Sequence, residues 1–186
     1  MSAIGTLIDK VTRDALSEPL RAAGYKKNGR TFRRSLDDGV QVINVQASVS
    51  NAGSSGRFTV NLGLYFATLA DLGGIGRLTD NPSESDCHLR CRIGHLLPGR
   101  QDLWWEVGEH QDNSSVVGDV RRACTGKGLA WLDAHAKKGG TNGVVLTNTF
   151  ARSAATPVSA NIESMFEESE FLVRGPTSGA RVTPVP

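Results

Sequence analysis

The chain has 186 residues and a mass of 19.8 kDa, the size of one ordinary domain with a hydrophobic core of its own. Hydrophobic residues make up 39% and charged residues 22%, which excludes wholesale disorder. With 21 basic and 19 acidic side chains, the net charge of +2 does not by itself indicate binding to nucleic acid.

The first predicted element is an amphipathic helix. Apolar residues between positions 4 and 16 recur at the three- and four-residue spacing of a single stripe, and Ser2 can cap the first turn. Ser17 followed by Pro19 predicts a second helix start, because serine caps a helix and proline fits its first turn. Gly24 is expected to end this second helix in the left-handed region.

Alternation of apolar and polar residues then predicts strands. They cover residues 31–36, 43–49, 58–66, 87–97 and 103–107. Asp37, Asp38 and Gly39 form a hairpin turn signal between the first two. Each long strand has one apolar face, so we expect an α+β fold: an antiparallel sheet of four to six strands with helices packed on one face.

The C-terminal part is predicted to hold a further helix at residues 114–138, weakened in its middle by Gly126 and Gly128. A β-prone segment at 144–150 and a helix starting at Thr156 follow. We expect a single domain over residues 1–174 and a disordered tail over residues 175–186, which is rich in Pro, Gly, Ser and Thr.

Four blocks of the sequence form a recognisable pattern. They are GYKKNGRTF at residues 24–32, VINVQAS at 42–48, RFTVNLG at 57–63, and the group Cys87, Arg90, Arg92-Ile93-Gly94, Asp102 and Trp104-Trp105. In this order they resemble the family known as domain of unknown function 4304, over roughly residues 1–135. The resemblance implies a small bacterial cytosolic protein and supplies no catalytic residue.

Polar side chains alternate with the apolar ones, so they fall on the opposite face of the predicted sheet. The candidates for a binding surface there are Asn44, Gln46, Asn61, Tyr65, Arg90 and Arg92. Strands lie about 4.8 Å apart, so these amides and guanidiniums can form one surface suited to hydrogen-bonded recognition. A solvated sheet face, or arginines that bond loop carbonyls, are the alternatives. The leading hypothesis is a non-enzymatic binding protein, immunity- or adaptor-like, whose partner is another macromolecule, most simply a protein.

A second hypothesis is a nucleic-acid-binding protein that uses the basic segment 21–34 together with Arg90 and Arg92. Between Pro19 and Leu36 the chain has six basic residues and no acidic one, and Arg30 and Arg33 are the candidate contacts. Few aromatic residues accompany them, although nucleic-acid readers usually combine the two. The alternative is that these residues lie at a solvated helix end and on an edge strand, where their charges discourage pairing with another chain.

Metal and catalytic chemistry find less support in the sequence. Cys87, His88, Cys91 and His95 have ligand side chains, but on a strand residues four apart are separated by about 13 Å, too far for one ion. We therefore expect no metal and no cofactor. A metal-dependent hydrolase using Glu106, Glu109, His110 and Asp112 is the third hypothesis.

The location of the protein is predicted from the cysteine content and the apolar runs. Three cysteines suit a reducing cytoplasm better than a disulfide scaffold. No apolar run reaches the ~18 residues of a membrane helix, and no basic region precedes an apolar block at the N-terminus. We expect a cytoplasmic protein with no signal peptide and no membrane partner.

Overall fold

The structure is a computed structural model that describes residues 2–71 and 79–137. Its helices and strands are α1 (Ala3–Ala22), β1 (Lys26–Asn28), β2 (Thr31–Leu36), β3 (Gly39–Ala47), β4 (Ser55–Phe66), α2 (Ala67–Asp71), β5 (Leu89–Arg92), β6 (Trp105–Gly108), α3 (Ser114–Ala123) and α4 (residues 129–137). Within the described residues six strands form one antiparallel sheet in the order β1-β2-β3-β4-β5, with β6 also paired to β4. The predicted α+β class with an antiparallel sheet is confirmed.

Predictions for the C-terminal part fall partly outside this description. The strand at residues 144–150, the helix from Thr156, the domain limit at residue 174 and the tail from residue 175 lie outside the described residues. The interruption predicted at Gly126 and Gly128 is a π-helical turn, Cys124–Gly128, which joins α3 to α4. In neither described range does a helix combine the length and apolar composition needed to cross a bilayer.

Helix α1 starts as predicted and is followed by Gly24 in the left-handed region as predicted, but it is one helix where two were predicted. The Ser2 hydroxyl accepts a hydrogen bond from the backbone N–H of Gly5 at 3.2 Å, and the apolar stripe is buried. The expectation of a second helix start at Ser17 is wrong, because α1 runs through Pro19 to Ala22 without a break.

An arginine from α3 explains how α1 tolerates its proline. Pro19 has no N–H to donate to the carbonyl of Ala15, four residues earlier. The Arg121 guanidinium takes over, with Nε donating to the Ala15 carbonyl at 3.2 Å and Nη2 to the Asp14 carbonyl at 2.7 Å. The Ala15 carbonyl that the proline leaves without its usual donor is thus satisfied from a neighbouring helix.

The main core lies between α1 and the apolar face of the sheet. Phe58, Val60, Leu62 and Leu64 of β4 are fully buried, while Thr59 and Asn61 lie on the other face, so the predicted register is confirmed. A Cβ placed on Gly56 would meet Ile4 of α1 at 2.7 Å, which shows how closely the helix approaches this face.

The opposite face is partly closed by a second, smaller core. Val40, Val42 and Tyr65 pack there with Ala70 of α2 and with Cys87. A Cβ on Gly63 would lie 2.5 Å from the Cys87 sulfur, so only glycine leaves room for that side chain. The strand predicted over residues 87–97 is therefore too long. Cys87 packs in this second core, and β5 covers only Leu89–Arg92.

Strands β5 and β6 share the same edge of β4 and leave a gap between them. β5 pairs with residues 61–64 and β6 with residues 55–58, so Thr59 and Val60 pair with neither. The chain leaves the sheet after Arg92, forms a 3-10 turn at Ile93–Leu96 and returns at Trp105. This excursion brings Asp102 and Trp104 next to Arg92 and Arg57.

Candidate binding site

The accessible part of the second sheet face carries a connected group of side chains, here named the Trp104 patch. Its members are Gln46, Arg57, Asn61, Arg92, Asp102 and Trp104. Strands β3, β4 and β5 supply the first four on one face of the sheet, because register places Asn61 opposite Arg92 and next to Gln46. The loop before β6 supplies the last two.

Asp102 holds the patch together. One carboxylate oxygen accepts from Arg92 Nη1 at 2.6 Å and the other accepts from the Trp104 indole N–H at 3.0 Å. Desolvation alone raises the pKa of Asp102, but the hydrogen bonds from Arg92 and Trp104 outweigh it, and the pKa is lowered. The carboxylate therefore stays ionised and fixes the orientation of the indole ring.

Two guanidiniums contact the Trp104 ring. Arg57 and Arg92 each place their central carbon 5.4 Å from the ring centroid, within cation–π range. Trp104 is half-buried and Arg57 is exposed. A large aromatic surface is thus held in place where solvent reaches it.

Arg92, Asn61 and Gln46 form a chain of hydrogen bonds in which each residue donates to the next. Arg92 Nε donates to Asn61 Oδ1 at 3.2 Å, and a guanidinium has only donors, so Asn61 must present its oxygen. The Asn61 amide nitrogen then donates to Gln46 Oε1 at 2.8 Å. This order fixes how both amide side chains are oriented.

The structure places the remaining sheet-face candidates elsewhere. Tyr65 is only 1% exposed and its hydroxyl accepts from the backbone N–H of Thr79 at 3.1 Å, so its assignment to an accessible surface is wrong. The second core covers it, which alternation along the strand could not reveal. Asn44 is half-buried and donates to the Thr31 hydroxyl at 3.0 Å. Asn61, 6% exposed, supports the patch from below.

Arg90 and Arg92 alternate with Cys91 on β5 but engage different carboxylates. Arg90 forms a bidentate pair with Glu84, at 2.6 and 3.0 Å, and this hydrogen bonding raises the pKa of Arg90. Arg90 is therefore not part of the Trp104 patch. The sequence also allowed these arginines to bond loop carbonyls instead of forming a binding surface. Among the described residues, neither arginine donates to a loop carbonyl.

The two candidate arginines of the basic segment, Arg30 and Arg33, form hydrogen bonds to other residues of the chain. Arg30 Nε donates to Asp9 of α1 at 2.5 Å and its Nη2 to the Gly5 carbonyl at 3.0 Å. Arg33 Nε donates to the Pro82 carbonyl at 2.7 Å. Both fasten the sheet to neighbouring elements, so their assignment as open phosphate contacts finds no support in their geometry.

A buried polar cluster that sequence reasoning missed ties α4 to the sheet. Gln41 is fully buried and accepts hydrogen bonds from the Tyr25 hydroxyl and from Arg34 Nε. Asp133 of α4 accepts from Arg34 and from Gln41 Nε2. Burial raises the pKa of Tyr25, which keeps its hydroxyl protonated as a donor. The available signal was Gln41 itself, a polar residue in the apolar register of β3.

Comparison with known proteins places the chain in a family. A model for a domain of unknown function, DUF4304, matches residues 16–134. The chain belongs to the DUF4304 family. The match contains all six described strands and the whole Trp104 patch, and it ends next to Asp133, the α4 residue that anchors to the sheet. No curated protein and no solved structure matches the sequence.

The DUF4304 region also contains the residues considered for metal binding and catalysis. Cys87, Cys91 and Cys124 are free and buried, and burial raises the pKa of each thiol to about 12. Within residues 2–71 and 79–137 no three His, Cys, Asp or Glu side chains converge as a metal site would need. Asp112 accepts from the Ser114 N–H at 2.9 Å and from its hydroxyl at 2.6 Å, which lowers the Asp112 pKa and satisfies a backbone N–H at the start of α3.

Proposed function

We propose that this DUF4304 protein is a non-enzymatic binding protein, immunity- or adaptor-like, that recognises another protein through the Trp104 patch. The observation that carries the proposal is a solvent-accessible tryptophan fixed by Asp102 and contacted by two guanidiniums. Tryptophan and arginine are the residues that most often dominate binding energy at protein interfaces. Because Asp102 already holds the ring, little side-chain entropy is lost when a partner docks.

A neighbouring apolar residue supports the same assignment. Val49, at the tip of the β3–β4 connection, is fully exposed, and it is the one large hydrophobic residue so placed within the described part of the chain. The connection is tied to the patch strand, because Ser48 N–H donates to the Arg57 carbonyl at 2.9 Å. An apolar contact beside a tryptophan–arginine cluster is typical of a protein interface.

The charge of the patch favours a protein over nucleic acid. Arg92 is neutralised by Asp102, and register places Glu106 directly opposite Arg57. Among the described residues of the patch, only the Arg57 guanidinium therefore lacks an ion pair, and one such cation falls short of the extended positive surface that nucleic-acid-binding proteins present. Engagement of Arg30 and Arg33 inside the domain reduces the basic surface further.

We place the protein in the bacterial cytoplasm. Three buried, unpaired thiols support a reducing compartment, and a bacterial source is what the resemblance to the family implies. For the hydrolase alternative, both oxygens of Asp112 accept hydrogen bonds from Ser114 at the start of α3, which argues against a role as a metal ligand or base.

The experiment is affinity capture from a lysate of the source cells with tagged full-length chain. Trp104→Ala tests the patch, and Lys127→Ala, exposed on the π-helical turn, is the control. We expect one protein to be enriched by wild type and control in a nuclease-resistant manner, and to fall at least tenfold with Trp104→Ala. If Trp104→Ala lowers the melting temperature, a second patch variant replaces it: Gln46→Glu keeps the oxygen that accepts from Asn61 but replaces the exposed amide NH₂ with a negative charge, and it should reduce capture in the same way. The proposal is refuted if both patch variants capture the protein as well as the wild type does, or if nuclease treatment abolishes capture.

A further inference from the structure

We infer that the Trp104 patch binds an acidic side chain, Asp or Glu, of its protein partner, with Arg57 as the pairing cation and the Trp104 ring as the stacking surface. This inference rests on the proposed function and adds the chemistry of the group that the patch recognises. The evidence for a carboxylate is the set of donors and acceptors in the patch that already have hydrogen-bond partners.

The side-chain oxygens of the Asp102, Asn61 and Gln46 members all accept hydrogen bonds from within the patch. Both Asp102 oxygens hold donors, one from Arg92 and one from Trp104. Asn61 Oδ1 accepts from Arg92, and Gln46 Oε1 accepts from Asn61. Each of these oxygens therefore already accepts one hydrogen bond from the patch itself.

Several hydrogen-bond donors of the patch, in contrast, are still available to a ligand. Because Gln46 turns its oxygen to Asn61, its NH₂ group is directed away from that contact. Arg92 uses Nε and Nη1 but leaves Nη2 without a partner among the described residues. The exposed Arg57 guanidinium contacts only the Trp104 ring and makes no ion pair within that same part of the chain. A surface that offers donors is complementary to a ligand that offers acceptors.

The charge selects a carboxylate among acceptor ligands. Arg57 is the one cation of the patch without a hydrogen-bonded carboxylate inside the described residues, so its guanidinium is the group still available to pair with an anion. The guanidinium fork fits a carboxylate in a bidentate manner. A phosphate would bring up to two negative charges close to Asp102 and Glu106, and their repulsion would oppose it.

The test is a titration of the ¹⁵N-labelled full-length chain followed by NMR at the Trp104 indole N–H, assigned with Trp104→Phe. The probes are the capped tripeptides acetyl-Gly-Asp-Gly-amide and acetyl-Gly-Asn-Gly-amide, and inorganic phosphate. We expect a saturable shift with the aspartate peptide and none with its asparagine match. Arg57→Gln should weaken binding at least tenfold, whereas Arg13→Gln, an exposed arginine on α1, should not change it.

Three results overturn the inference: no saturable response to the aspartate peptide, an equal response to the asparagine peptide, or tighter binding of phosphate, which would instead indicate a nucleic-acid ligand. Its failure can be told apart from failure of the proposed function. A protein whose capture depends on Trp104 but is unaffected by Arg57→Gln leaves the proposed function standing and removes the carboxylate assignment.

Discussion

The hydrogen bonds from Arg121 to α1 give a prediction about the proline inside that helix. Arg121→Met keeps the unbranched apolar stem of the side chain but removes both donors to the Ala15 and Asp14 carbonyls. Pro19→Ala, in turn, restores the N–H that an uninterrupted helix directs to the Ala15 carbonyl. If Arg121 replaces the missing N–H, the two substitutions must not be independent.

The magnitude follows from the kind of hydrogen bond that is lost. A hydrogen bond from a charged donor contributes about 1.5–3 kcal/mol when shielded, and Arg121 is exposed, so water replaces part of what is removed. We expect Arg121→Met to lower the free energy of unfolding by about 1–2 kcal/mol. In the Pro19→Ala background the same substitution should cost less, with a coupling energy of about 1 kcal/mol.

The assay is urea unfolding of the wild type, both single variants and the double variant, followed by circular dichroism at fixed pH and salt. Arg122→Met is the matched control, since Arg122 is the next residue of α3 and forms an exposed ion pair with Asp119. It should change stability by less than about 0.5 kcal/mol. A coupling energy indistinguishable from zero would falsify the role assigned to Arg121.

Three further predictions concern the site, the second core and the thiols. Arg92→Ala should lower the free energy of unfolding by about 1–3 kcal/mol in urea denaturation, because it leaves the buried oxygen of Asn61 without its donor; an unchanged midpoint would show that Arg92 does not support the patch. Gly63→Ala should cost about 1–3 kcal/mol by overpacking against Cys87, and adding Cys87→Ala should recover part of this loss, in the same assay. The three buried thiols, whose pKa values are raised to about 12, should react with a disulfide reagent at pH 8 only after unfolding, which a colorimetric time course measures; fast reaction of the folded chain contradicts their burial.

Sequence reasoning succeeded where the deciding interactions are local. The Ser2 cap, the apolar stripe of α1 and the alternation along β4 are set by residues two to four positions apart, and each is in the structure as expected. The blocks that resemble DUF4304 also lie inside the matched region. Fold class follows from these patterns, because an element with one apolar face must bury it against another.

Tertiary structure decided the features that depend on residues far apart in the chain. Ser17 and Pro19 form a sound helix start, yet α1 continues because Arg121 supplies hydrogen bonds from more than 100 residues away. Tyr65 occupies a polar-face position, yet the second core buries it, and only packing of α2 and Cys87 could establish that.

The candidate site shows the same division. Alternation placed Gln46, Asn61 and Arg92 on one face, since strand geometry alone determines which side chains share a face. The excursion that breaks the edge of β4 between β5 and β6 added Asp102 and Trp104, and alternation along a strand carries no information about where a loop returns. Which of those side chains solvent can reach was settled by the packing on top of the sheet, because burial is a property of the assembled fold and not of the strand.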